Sequence, residues 1–117
     1  MRHQVQKHRL NRSAAPRKLL IGNLATSLIL HGKIQTTKAR AKAIQPIVER
    51  LIISAKTKEK RLAIREVGKI LQNELSSKIL FEDLVKKYQN RQTGFTKISD
   101  LGFRAGDAAP FVQIELL

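Results

Sequence analysis

The chain of 117 residues has no cysteine and no tryptophan, and only four Phe and one Tyr. Without cysteine there can be neither disulfides nor thiolate metal sites, which fits a reducing compartment. So few aromatics leave little material for stacking unpaired bases, so recognition of a strand by stacking is not expected. No apolar run approaches the roughly 18 to 20 residues that a membrane-spanning helix needs. The most apolar stretch, from Leu19 to Leu30, is interrupted by Gly22, Asn23, Thr26 and Ser27. The opening MRHQVQKHRL has a basic flank with no cleavage-site pattern behind it, so no secretory signal and a cytosolic location are expected.

The most informative absence is that of acids from the first 48 residues. Arg2, Lys7, Arg9, Arg12, Arg17, Lys18, Lys33, Lys38, Arg40 and Lys42 all precede the first carboxylate, Glu49. The rest of the chain holds thirteen bases against nine acids, so the net charge of +14 is concentrated in the N-terminal two-fifths. An unneutralised block of this kind repels itself unless a polyanion lies against it, and phosphate backbones are the polyanions of the cell. Apolar residues still make up 42% of the chain, enough for one modest core in a single small domain.

Residues 1–12 (MRHQVQKHRLNR) offer only Val5 and Leu10 as internal apolar groups and read as an extended basic arm. Residues 13–117 read as one globular domain. Ser13 and Pro16 mark a helix start, Leu20, Leu24 and Leu28 recur at helical spacing beside Ile21, Ala25 and Ile29, and His31-Gly32 marks the stop. Lys33 to Thr36 forms a connector or brief strand. Thr36 or Thr37 then caps a second helix from Lys38 to about Ala55, with a kink or break expected at Pro46. A third helix is expected over 59–72 with Leu62, Val67, Ile70 and Leu71 inward, Ala63 and Ile64 at the boundary, and Asn73 at its end. Ser76 or Ser77 caps a fourth, with Ile79, Leu80, Leu84 and Val85 facing the core and Glu82–Lys86 and Asp83–Lys87 pairs four apart. Phe95 to Leu101 and the alternating Phe111 to Leu117 read as strands around the loop GFRAGDAAP. Helices followed by strands make the fold class α+β.

Two features could carry chemistry. In the arm, Arg2, Lys7, Arg9 and Arg12, with Arg17 just beyond, are interleaved with His3 and His8; arginine forks match phosphate oxygens and Gln or Asn can reach base edges or 2′-hydroxyls. The alternative is a solvated basic tail without a partner. The second feature is Lys33, Lys38, Arg40 and Lys42 around a helix start, where cations oppose the dipole and an anionic surface would relieve them. Phe103, in the terminal loop beside Arg104, is the one aromatic placed to be exposed and to stack on a base. Catalysis is not indicated: no acid precedes Glu49, and Ser13 and Ser27 have no partner base and acid in a recognisable arrangement. Asp107 suits a turn-capping role. The scattered histidines lie in strong positive charge, which opposes a metal, and no cofactor or small-molecule substrate is implied.

Taken together, the opening MRH, the run LNRSAAPRKLLIGNLATSLILHGKIQTTKARAKAIQPIVERLI and the closing TKISDLGFRAGDAAPFVQIELL resemble the bacterial large-subunit ribosomal protein seventeen family from end to end. The resemblance implies a structural, non-enzymatic constituent of the large subunit that binds large-subunit ribosomal RNA. It also implies neighbouring ribosomal proteins near the exit of the peptide tunnel, and four helices packed on a small mixed sheet. Carried over residue by residue, it points to Arg2, His3, Lys7, Arg9, Asn11, Arg12, Arg17 and Lys18, then Thr36, Thr37, Lys38 and Arg104, as RNA contacts, beside the Arg40 and Lys42 of the second cluster. The chain departs from the family pattern at Gln4, Val5 and Gln6, usually more basic, at Pro16 where His is common, and at Gly22 where Arg is frequent. Phe103 and Ala105 replace a more basic, proline-containing loop. On charge alone a nucleoid-type DNA-binding protein is the rival, although no recognition-helix motif is present. A peripheral membrane helix would need boundary aromatics that residues 19–30 lack.

Overall fold

The computed structural model describes residue 10 and residues 13–117; the expected arm, with Arg2, His3, Lys7, Arg9, Asn11 and Arg12, lies outside them. The described chain runs α1 (Ala14–His31), β1 (Lys33–Thr37), α2 (Lys38–Thr57), α3 (Lys60–Gly68), α4 (74–87), β2 (Thr96–Phe103) and β3 (Pro110–Leu116). The fold is α+β, with four helices and a three-stranded sheet. None of the described helices is long and apolar enough to cross a membrane.

The sheet order is β1-β3-β2, and both pairings are antiparallel, so the sheet is not mixed as the resemblance had implied. The reason is that β3 lies in the middle. It pairs with β2 as a hairpin, and β1, entering from α1 and leaving directly into α2, also runs against it. Gly32 makes the turn into β1 in the left-handed region, at φ 80°, with its N–H on the Leu28 carbonyl at 2.8 Å. Its own carbonyl accepts from the Leu116 N–H at 2.8 Å, which anchors the end of the sheet to the end of α1. Glycine reaches this φ without the Cβ strain that other residues meet there.

One face of the sheet is covered by helices. Val112 and Ile114 of β3 are fully buried and alternate with half-buried Gln113 and Glu115, the period-two pattern expected of this segment. Against them pack Ala25, Leu28 and Ile29 of α1, Ile44, Val48, Leu51 and Ile52 of α2, and Leu80, Leu84 and Tyr88 from the α4 side. α2 is a single helix through Pro46, with no break. Core residues flank the proline on both sides, and their burial outweighs the one lost backbone bond.

α3 is shorter than expected and turned differently. It ends at Gly68, its buried residues are Ala63 and Val67, and Leu62 and Ile64 face solvent. Only one side of so short a helix meets α2, and the small Ala63 lets that side approach closely. Asn73 begins α4 rather than ending α3: its Oδ1 accepts from the N–H groups of Leu75 at 2.8 Å and Ser76 at 3.2 Å. The Ser76 hydroxyl donates back to the Asn73 carbonyl, so it serves the same cap from inside the helix.

α4 is built from Glu74–Ile79, a π-helical turn at Leu80–Leu84, and Val85–Lys87. The wider turn changes the i,i+4 relationship, and neither Glu82–Lys86 nor Asp83–Lys87 is among the ion pairs of the described residues. It keeps Leu80, Leu84 and Tyr88 all buried. Lys58, just past α2, pairs instead with Glu66 of α3 at 2.7 Å, an exposed bridge between the two helices.

Candidate nucleic-acid interface

Arg17 and Lys18 lie in the first turns of α1, Arg17 half-buried and Lys18 exposed. Neither α1 nor α2 has an acid in its first turn, and Ser13 and Thr37, although at the N-cap positions, make no side-chain cap bond. The expected hydroxyl caps are therefore not made, although both backbones are extended at these positions. Two long helices thus start with uncapped N–H groups and no carboxylate, the arrangement that favours a phosphate oxygen.

β1 separates the two threonines. Thr36 pairs in register with Val112 and is 7% exposed on the core face, so it does not offer its side chain to an external strand. Thr37, one residue on, lies at the surface boundary where α2 begins, and Lys38 and Lys42 are exposed on that helix with Arg40 half-buried. The alternation of the strand explains the split: adjacent strand residues cannot both face outward.

Arg104 stands apart from this cluster. It lies in the β2–β3 loop and forms an ion pair with Asp107, Nε donating to Oδ1 at 3.2 Å and the guanidinium NH2 group to Oδ2. The neighbouring guanidinium, helped by the Ala109 N–H, lowers the Asp107 carboxyl to about 2. Asp107 thus has the turn-capping role read from the sequence, accepting from the Ala109 N–H at 3.1 Å. Arg104 already has a carboxylate partner, which sets it apart from Lys18 and Lys38.

One part of the surface was not legible from residue order. The connection between α3 and α4 packs against α1, forming an open groove whose polar lining is Lys18, Asn23 and Thr26 from α1 and Lys69, Gln72 and Asn73 opposite them. No acid lines it. Gly22 forms its floor, where a Cβ would stand 2.9 Å from the Ile70 carbonyl oxygen. Lys69 and Gln72 lie about fifty residues along the chain from Lys18 and Asn23, and only the tertiary packing brings the two pairs together. The one sequence signal was Gly22 itself, a helix-weakening residue in mid-helix where a close backbone approach is a common reason.

Across residues 20–117 the sequence matches the profile of the family described as Ribosomal protein L17. The chain belongs to the ribosomal protein L17 family. A protein named "Large ribosomal subunit protein bL17" in Neorickettsia sennetsu is 38% identical over 117 residues, covering all of both chains. Proteins of the same name are 40% identical in Rubrobacter xylanophilus, covering all of this chain and 96% of the relative, and 38% identical in Desulforapulum autotrophicum, covering 97% of the relative. Within this L17 chain, the uncapped helix starts and the α1 wall of the groove lie in the charge-dense part of the sequence, whereas Lys69 and the Arg104 loop lie outside it.

Proposed function

We propose that this chain is a cytoplasmic structural constituent of the large ribosomal subunit that binds and stabilises large-subunit ribosomal RNA and thereby supports translation, with no catalytic role. The observation that carries the proposal is the acid-free block of residues 1–48, set within a chain that belongs to the L17 family over almost its whole length. Binding is by phosphate contacts. Arg2, His3, Lys7, Arg9, Asn11 and Arg12 reach into the RNA, Arg17 and Lys18 continue that track onto α1, and Thr37, Lys38, Arg40 and Lys42 meet a second segment where α2 begins. The groove between α1 and the α3–α4 connection takes a phosphodiester strand, with Lys18 and Lys69 on the phosphates and Asn23 and Gln72 able to bond phosphate or 2′-hydroxyl oxygens. Neighbouring large-subunit proteins near the tunnel exit complete its surroundings.

Sucrose-gradient sedimentation tests this reading. The tagged chain is expected to travel with large subunits and to stay with them through a moderate salt wash. Sedimentation with the nucleoid, or release at low salt into the soluble pool, would refute it.

A further inference from the structure

The tip of the β2–β3 hairpin does not share the character of the rest of the molecule. From residue 93 onward the bases Lys97 and Arg104 meet the acids Asp100, Asp107 and Glu115, so this region is slightly acidic in a chain of net charge +14. Its surface is also apolar. Phe103 is 76% exposed, the most exposed large hydrophobic residue among those described, and Leu101 beside it is 47% exposed. Leu101 is the extra residue of a β-bulge, inserted between the Asp100–Val112 and Gly102–Phe111 pairs, and Phe103 then pairs in register with Pro110. Bulges of this kind redirect a side chain and hold it in the new direction.

The loop behind these residues is already internally bonded. The Arg104 N–H donates to the Ala109 carbonyl at 2.8 Å, the Ala108 N–H returns to the Arg104 carbonyl at 3.0 Å, and the Arg104–Asp107 pair closes the ring. A partner therefore meets a preformed knob and loses little loop entropy on binding it. A nucleobase is a poor partner. Stacked on Phe103 it would bring its flanking phosphates towards Asp100 and Asp107, and the guanidinium that could neutralise them is bonded to Asp107. Asp100 is exposed and enters no ion pair among the described residues, which suits cationic side chains.

We infer that Phe103 and Leu101 form an anchor for a second protein, one offering an apolar pocket edged by lysine or arginine. The inference rests on the ribosomal reading for where that protein is found: it is a basic protein of the same subunit. The highly basic half of the chain faces RNA, and this hairpin faces protein.

The test places a benzophenone photocrosslinker at position 103 of the full chain and irradiates purified large subunits that contain it. A denaturation-resistant adduct that survives ribonuclease and yields a lysine- or arginine-rich peptide of another subunit protein is expected. An adduct destroyed by ribonuclease assigns the tip to RNA and overturns the inference. So does the lack of any adduct from subunits that do contain the chain. Absence of the chain from subunits refutes the ribosomal reading itself and is seen before irradiation. In parallel, Phe103→Ala should leave affinity for isolated ribosomal RNA unchanged while reducing retention in washed subunits on the order of tenfold, as expected for an aromatic anchor. Equal losses in both assays would also overturn the assignment.

Discussion

The Tyr88 hydroxyl donates to the main-chain oxygen of Leu117 at 2.6 Å, joining the end of α4 to the residue that follows the central strand. The ring meets Phe95 edge to face, with centroids 5.1 Å apart, and Lys56 stands over the other aromatic at 5.3 Å. Three separate parts of the chain therefore close around one aromatic pair. Burial holds the phenol above its ordinary pKa, so it remains a donor throughout the neutral range. Tyr88→Phe keeps the packing and removes the bond. It is expected to destabilise the fold by about 1 kcal/mol in urea titration, the usual net value of one hydrogen bond.

Gly22 gives a prediction opposite to helix propensity. In an exposed helix Gly→Ala stabilises by up to about 1 kcal/mol. Here the new methyl would stand 2.9 Å from a backbone oxygen, at Ile70, and backbone cannot rotate away as a side chain can. Overpacking of this kind costs about 1–3 kcal/mol, so the variant should melt at lower temperature despite its better helix former. A raised melting temperature would show that the α3–α4 connection yields easily.

The Arg104–Asp107 pair sets a pH dependence. Because the Asp107 pKa is lowered in the folded state, the pair contributes above the ordinary carboxylate range, and its contribution fades as pH falls towards about 2. Replacing Arg104 with Ala removes the larger cause and leaves the Ala109 N–H, so the carboxyl should titrate at a distinctly higher pH. Carboxyl carbon shifts followed by NMR during acid titration measure this directly. An unchanged midpoint would mean that backbone bonding alone accounts for the shift.

For the Lys18–Lys69 groove the expected signature is in salt dependence. Lys18→Gln and Lys69→Gln should each reduce the slope of log affinity for ribosomal RNA against log salt by about one. A control holds the net charge constant: Lys58→Gln with Glu66→Gln removes an ion pair already satisfied within the protein and should leave the slope unchanged. Similar slopes for all these variants would remove the groove from the interface.

Residues 2–12 supply four bases and none of the described core. Their deletion should leave the helical circular dichroism largely intact and weaken RNA binding markedly. A truncated chain that binds as well as the full one would confine binding to the folded domain.

The features that were legible in the sequence are those with a local cause. Gly32 ends a helix because its own backbone must adopt positive φ, and Val112 and Ile114 alternate with polar neighbours because a strand has two faces. The acid-free opening needed only counting. The features that were missed depend on a distant surface. Which side of α3 turns inward was decided by α2, so Ala63 is buried and the larger Leu62 is not. The π-helical turn at Leu80–Leu84 has no distinguishing residue type. The candidate interface divides the same way: Lys18 and Lys38 follow from composition, whereas Lys69 is brought beside Lys18 only by the chain reversal ahead of Asn73.

The central place of β3 has a consequence in time. β1 and β2 share no hydrogen bonds, and each joins the sheet only through Pro110–Leu116, which is synthesised after every other described element. While the ribosome is still making this chain, its basic helices have emerged and its sheet has no middle. The basic half of the chain is thus made before the fold that carries it can close, and closing waits on one seven-residue strand that gives both edge strands their partner.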